Sequence, residues 1–161
     1  MRTLISLAAL AACSVGAVGV QAAGSVQVTF VEPDRFADAG RSFERPANLK
    51  TIEAHLRSLG QRYLADGQAL NVEVLDVDLA GELRPSRRSA GEIRVARSAD
   101  WPRMNLRYTL EGGGQPAQRG EDRISDLNYQ QHLSSYSSRD PLKHEKQMLE
   151  AWFKTRFAPP Q

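Results

Sequence analysis

The chain has 161 residues, 41% hydrophobic and 25% charged, with 21 basic side chains against 19 acidic ones. That composition suits a single globular domain, because two would each have a thin core. A formal net charge of +2 is too small for whole-molecule attraction to nucleic acid or a membrane, so any basic partner surface must be local. The only cysteine, Cys13, lies in an apolar leader, which excludes a disulfide, a cysteine metal site and a thiol nucleophile from the folded part.

Met1-Arg2 precedes an uncharged stretch from Thr3 to Val20, and Val20 and Ala22 are the small residues a signal peptidase inspects. The leading expectation is a signal peptide over residues 1–22, leaving one domain over 23–161. Two alternatives stay open. Leu10-Ala11-Ala12-Cys13 is the tetrapeptide of lipoprotein processing, which would acylate Cys13 and tether the domain, and the leader could remain as an uncleaved anchor. Against lipidation, the apolar run continues past Cys13 where a polar linker is usual. Each reading puts the domain outside the cytoplasm, in the periplasm.

Along the mature chain, Val26, Val28 and Phe30 alternate with polar residues and predict a strand over Ser25–Val31. Residues 35–46 read as an ordered loop. Leu49, Ile52, Leu56, Leu59 and Tyr63 recur at steps of three and four, which predicts a helix with His55 on its solvent side. From Leu70 to Ala80 the period is two, but it slips: Leu70, Val72 and Val74 share one face, and Leu75, Val77 and Leu79 the other. The slip predicts a bulge near Val74-Leu75 or partial cover on both faces. A loop comes next over 84–89, then a strand at Ile93 and Val95, then the clearest alternation, Met104 to Leu110. Gly112-Gly113-Gly114 predicts a hairpin with a return strand over Gln115–Glu121. Residues 124–133 fit neither period and read as a short helix or irregular connection. Asp140-Pro141 reads as cap and first residue of a last helix, whose apolar face includes Met148, Trp152, Phe153 and Phe157. The order predicts an α+β domain: a mostly antiparallel sheet of four to five strands with two helices packed on one face.

No complete catalytic constellation is present. His55, His132 and His144 lack metal-site spacing and read as solvated side chains, and no cofactor motif appears. Charge, however, is segregated. Asp66, Glu73, Asp76, Asp78 and Glu82 occupy a segment without a base, and seven arginines come after it between Arg84 and Arg107, against Glu92 and Asp100. Cross-strand pairing explains both halves, with Asp76 and Asp78 meeting Arg94, Arg103 or Arg107. Two functional readings compete with it. Asp76, Asp78 and Glu82, with Arg103 or Arg107 stabilising charge, could serve a small hydrolase or a metal-dependent enzyme, though two strand carboxylates are a small part of a calcium shell. Arg84, Arg87 and Arg88 could bind an anionic envelope component, since guanidinium forks grip phosphate oxygens two at a time.

Asp76-Val77-Asp78-Leu79-Ala80-Gly81-Glu82, Trp101-Pro102-Arg103-Met104, Asp126-Leu127-Asn128-Tyr129 and Glu145-Lys146-Gln147-Met148-Leu149-x-x-Trp152-Phe153, with Val28-Thr29-Phe30 before them, resemble a family of small exported bacterial proteins catalogued only as a domain of unknown function. The resemblance implies one exported domain, an ordinary cleaved leader and no catalytic residues to carry over. The sequence thus points to a periplasmic, non-enzymatic binding or accessory domain for an anionic envelope component or an envelope protein. It would use no cofactor or nucleic acid, and would meet a membrane only if Cys13 is lipidated.

Overall fold

A computed structural model describes residues 23–86, 91–131 and 136–158. The leader with Cys13, and also Arg87, Arg88 and His132, lie outside the described residues. The elements are β1 (Ser25–Phe30), α1 (Arg45–Tyr63), β2 (Gln68–Asp78), β3 (Glu82–Pro85), β4 (Glu92–Val95), β5 (Arg103–Gly112), β6 (Gln118–Ser125) and α2 (Lys143–Phe157). A 3-10 turn at Pro33–Arg35 lies between β1 and α1.

The main sheet has the order β1-β2-β5-β6, with β1 parallel to β2 and the other pairings antiparallel; β3 and β4 form a separate two-stranded sheet. A parallel pair needs a crossover, and α1 supplies it. This is the expected α+β architecture, with one mixed sheet. Its inner face, including Val26, Leu70, Val72, Val74, Leu106 and Leu110, shares a single core with Ile52, Leu56 and Leu59 of α1 and Leu149, Trp152 and Phe153 of α2. The outer face is polar, as one-sided alternation requires.

The slip in β2 is a bulge. Its register with β5 shifts between Val74 and Asp76, so Leu75 is the extra residue, and Val77 and Leu79 return to the buried side with Leu70, Val72 and Val74. Asp76 holds the bulge: its Oδ1 accepts the N–H of Val77 at 2.9 Å and of Ala37 at 2.8 Å. Beyond it, Asp38 makes a parallel bridge to Asp78.

Several boundaries differ from the sequence reading. Helix α1 begins at Arg45, inside the expected loop, with Pro46 in its first turn, where a missing N–H is harmless. Strand β3 takes Arg84 and Pro85 out of the expected loop, and β6 is displaced toward the C-terminus to Gln118–Ser125. Helix α2 begins at Lys143: the Asp140 carboxylate accepts the Leu142 N–H at 3.0 Å and so caps a turn that precedes the helix. His55 is buried, at 7% exposure, because α2 covers the α1 face expected to be solvated.

Gly60 sets how closely α1 approaches β1. A Cβ there would stand 2.2 Å from Val26 Cγ2, inside any real contact. Gly60→Ala should therefore lose about 1–3 kcal/mol to overpacking despite the better helix propensity of alanine. Urea unfolding measures this, and in the Val26→Ala background the loss should shrink.

Candidate functional site

The carboxylates and arginines singled out in the sequence fall into separate pairs. Arg103 meets Asp78 through both Nε, at 3.0 Å, and Nη2, and its guanidinium lies 5.7 Å from the Trp101 ring centroid. Arg107 joins Glu73 on β2 to Glu121 on β6, at 3.1 and 3.2 Å. Arg84 pairs with Glu82 at 2.6 Å. Asp76 is engaged by backbone N–H groups, and Arg94 pairs with Asp38, an acid outside the segregated segment. Among the described residues, no group of three or more His, Cys, Asp or Glu is placed to hold a metal ion.

A cleft of about 720 Å³ lies elsewhere, where α1 and α2 begin and the β3–β4 hairpin closes over the end of β2. Arg41, Phe43 and Glu44 reach it from the approach to α1, Leu79 and Ala80 from the end of β2, Leu83 and Arg94 from the hairpin, and Leu142, Lys143 and His144 from the start of α2. The floor is fastened by Glu145, 1% exposed, whose Oε1 accepts the Ala80 N–H at 2.7 Å while Oε2 has no partner. Burial pushes the Glu145 carboxyl above its ordinary range. Gly81, at φ +80°, turns the chain immediately after this bond, and a Cβ there would meet the Val95 carbonyl oxygen at 2.7 Å.

The cleft is cationic. Arg94 makes a fork to Asp38, at 2.8 and 3.0 Å, and also donates to the Gly81 carbonyl at 2.7 Å. Arg41 pairs with Glu44, whose carboxyl it holds below the usual range, and leaves its Nε buried without a partner. Lys143 makes no ion pair with any described residue. The His144 ring stands edge-on to Tyr129 at 4.7 Å with Nδ1 buried and unpaired, and burial lowers its pKa. Both helices present their N-terminal ends here, and neither has a side-chain cap, so two positive dipole ends add to the side-chain charge. Phe43 is 72% exposed at the rim, its ring 4.6 Å from the Arg41 guanidinium. The arrangement can hold an acidic group and, beside it, an apolar chain.

A second polar cluster joins α1 to α2. The His55 Nε2 lies 3.0 Å from the Lys146 carbonyl oxygen, so that nitrogen carries the proton. Glu150 accepts from Tyr136 at 2.5 Å and Tyr63 at 3.0 Å, and pairs with Lys154 at 2.9 Å. Burial alone would raise the Glu150 pKa, but the Tyr136, Lys154 and Tyr63 bonds take it down to about 2. The Tyr136 hydroxyl is pushed up to about 12, first by burial and then by Glu150. Neither this cluster nor the cleft was visible as a site in the sequence: the first joins residues of α1 and α2 far apart in the chain, and the second is assembled from four separate segments.

The family model described as "Protein of unknown function (DUF3016)" matches residues 24–155. No curated protein matches the chain. No solved structure matches it either.

The buried groups predict opposite pH responses. Burial lowers the His55 pKa below 6.5, so the unfolded chain takes up a proton first and stability falls as pH drops below that value. Glu145 is raised above 4.5, so its contribution is present in acid and is lost as pH rises through the folded value. Urea midpoints between pH 4 and 8 should show that His55→Gln removes a slope that rises with pH, and Glu145→Gln one that falls, each at most about 1.4 kcal/mol per pH unit.

Proposed function

The chain belongs to the DUF3016 family, and we propose that it is an exported, periplasmic, non-enzymatic binding domain whose cleft takes the acidic head of an amphiphilic envelope component. The observation that carries this reading is the cationic cleft itself, where Lys143 has no ion-pair partner among the described residues and Arg41 Nε and His144 Nδ1 are buried and unpaired. Phosphate or carboxylate oxygens seated between the two helix starts would meet Lys143 and compete with Glu44 for Arg41. An anion there also draws the neutral His144 toward its charged form. Phe43 and Leu83 provide apolar contact for the hydrocarbon part. Arg84, at the end of β3, starts the basic hairpin connection, and Arg87 and Arg88 come after it in sequence.

Export is read from the leader, with cleavage after Ala22 and acylation of Cys13 as the competing outcomes. Mass spectrometry of the processed N-terminus separates Ala23 from acylated Cys13, and a retained leader would overturn both.

Binding is tested by co-sedimentation with vesicles of phosphatidylglycerol and phosphatidylcholine, against phosphatidylcholine alone. The expected result is retention by the anionic vesicles that fades with salt. Arg41→Ala with Lys143→Ala should weaken retention about tenfold or more, since each loses a charge-assisted contact. Arg84→Ala with Arg87→Ala and Arg88→Ala measures the hairpin's share. Retention that is absent, or equal on neutral vesicles, or indifferent to the cleft variants, overturns the assignment.

A further inference from the structure

Strand β6 closes one edge of the main sheet and, among the described residues, pairs only with β5. The Asp126 N–H donates to the Pro102 carbonyl on the β5 side, and strand geometry alternates. The N–H and C=O groups of Arg119, Glu121, Arg123 and Ser125 therefore point away from the sheet. No proline interrupts this edge. Beside it, β6 and α2 leave a groove of about 800 Å³ floored by Ile124, Met148, Ala151 and Trp152.

We propose that β6 pairs antiparallel with the β6 of a second copy, about a two-fold axis through Asp122, to join two sheets into one. Charge and overlap together select this register: a centre at Gly120 also opposes Arg119 to Glu121 twice, but it pairs only residues 118–122 of the strand. Centred on Asp122, the pairing sets Glu121 opposite Arg123 of the other copy twice, Arg119 opposite Ser125, and Gly120 opposite Ile124. Centred one residue earlier, on Glu121, it opposes Glu121 to itself and Arg119 to Arg123, all like charges, which destabilise directly opposed pairs. The outward-pointing backbone groups fit as well, because Glu121 and Arg123 exchange both their hydrogen bonds when the axis passes through Asp122.

The one self-opposed charge in the favoured register is already neutralised within each copy. Asp122 accepts from Trp152 Nε1 at 2.9 Å and from Arg156 at 2.9 and 2.6 Å. On the inner face, the Ile124 of one copy comes beside Gly120 of the other, where the Tyr108 hydroxyl already fills the space a side chain would take. This interface is independent of the cleft.

Sedimentation velocity of the purified protein, from low to high micromolar concentration, should show a reversible dimer. Glu121→Arg should raise its dissociation constant about tenfold or more, and Glu121→Arg with Arg123→Glu should restore it. Register is read by mild oxidation in a Cys13→Ser background. Glu121→Cys with Arg123→Cys should give a covalent dimer on a non-reducing gel, and Glu121→Cys alone should not. A monomer throughout the range, a dimer indifferent to the charge reversal, or cross-linking through Glu121→Cys alone would each overturn the proposal.

Discussion

The bulge at Leu75 is the constraint on which the arrangement of this domain depends. Because strand side chains alternate strictly, a continuous β2 would send Val77 and Leu79 to solvent and bring Asp76 and Asp78 into the core. One extra residue reverses that outcome and keeps the whole strand apolar on one side. Asp76 secures it by accepting two backbone N–H groups, one from the bulge itself and one from Ala37, so it also fixes the segment that crosses to Asp38. The same phase places the contacts at the far end of the strand. Ala80 arrives where Glu145 can accept its N–H, and Asp78 is left on the outer face opposite Arg103.

Charge obeys the same geometry. The outer face carries a row in which Arg107 stands between Glu73 and Glu121, and a second in which Arg103 meets Asp78. These pairs are exposed, so solvent screening leaves each of them little weight in stability. At β6 their value is in specifying register, because slipping that strand by two residues along β5 would set Arg107 opposite Arg119 or Arg123. The cleft differs in kind: Arg41 and Arg94 are paired with Glu44 and Asp38, but Lys143 stands beside the helix starts without an ion pair among the described residues.

Much of the fold was legible in sequence where a period was unbroken. The Leu49 to Tyr63 stripe, the Met104 to Leu110 alternation and the slip in β2 each correspond to an element or an irregularity in the structure. The segregation of acids and arginines was read correctly as pairing between β2 and β5 for Asp78 and Arg103, but its other partners were not. Glu121 lies on the return strand of the expected hairpin, where no pairing partner was assigned to it, and Asp38 lies far from Arg94 in sequence and is brought near by the bridge to β2. His55 was misplaced because a helical stripe indicates which face meets the sheet and is silent about a second helix on its flank. Asp140-Pro141 looked like a helix start because a local cap and a helix cap share the same residues, and only the backbone beyond them distinguishes the two. The cleft was not legible, since the family motifs around Ala80 and Glu145 carry no recognisable chemistry and the hydrogen bond that joins them spans Ala80 to Glu145.

Helix α2 links the two unfinished surfaces of the molecule. Its first turn, with Lys143 and His144, lines the cleft; its later turns, with Trp152 and Arg156, line the groove beside β6. Between them, Glu145 ties the helix to β2, and Trp152 and Arg156 tie it to β6 through Asp122. A shift of α2 along its axis would have to break the Ala80 bond at one end and the Asp122 bonds at the other. The helix is thus held to the sheet by polar contacts near both ends as well as by its apolar face. An occupant of the cleft and a second copy on β6 would bear on the same rigid element, and a rigid element transmits a difference in energy only if it has two arrangements to choose between. The packing of Leu149 and Phe153, both fully buried, favours one. On this packing the two surfaces would act independently: a ligand would fill a preformed cleft, and pairing through β6 would multiply the number of clefts in one particle without altering either.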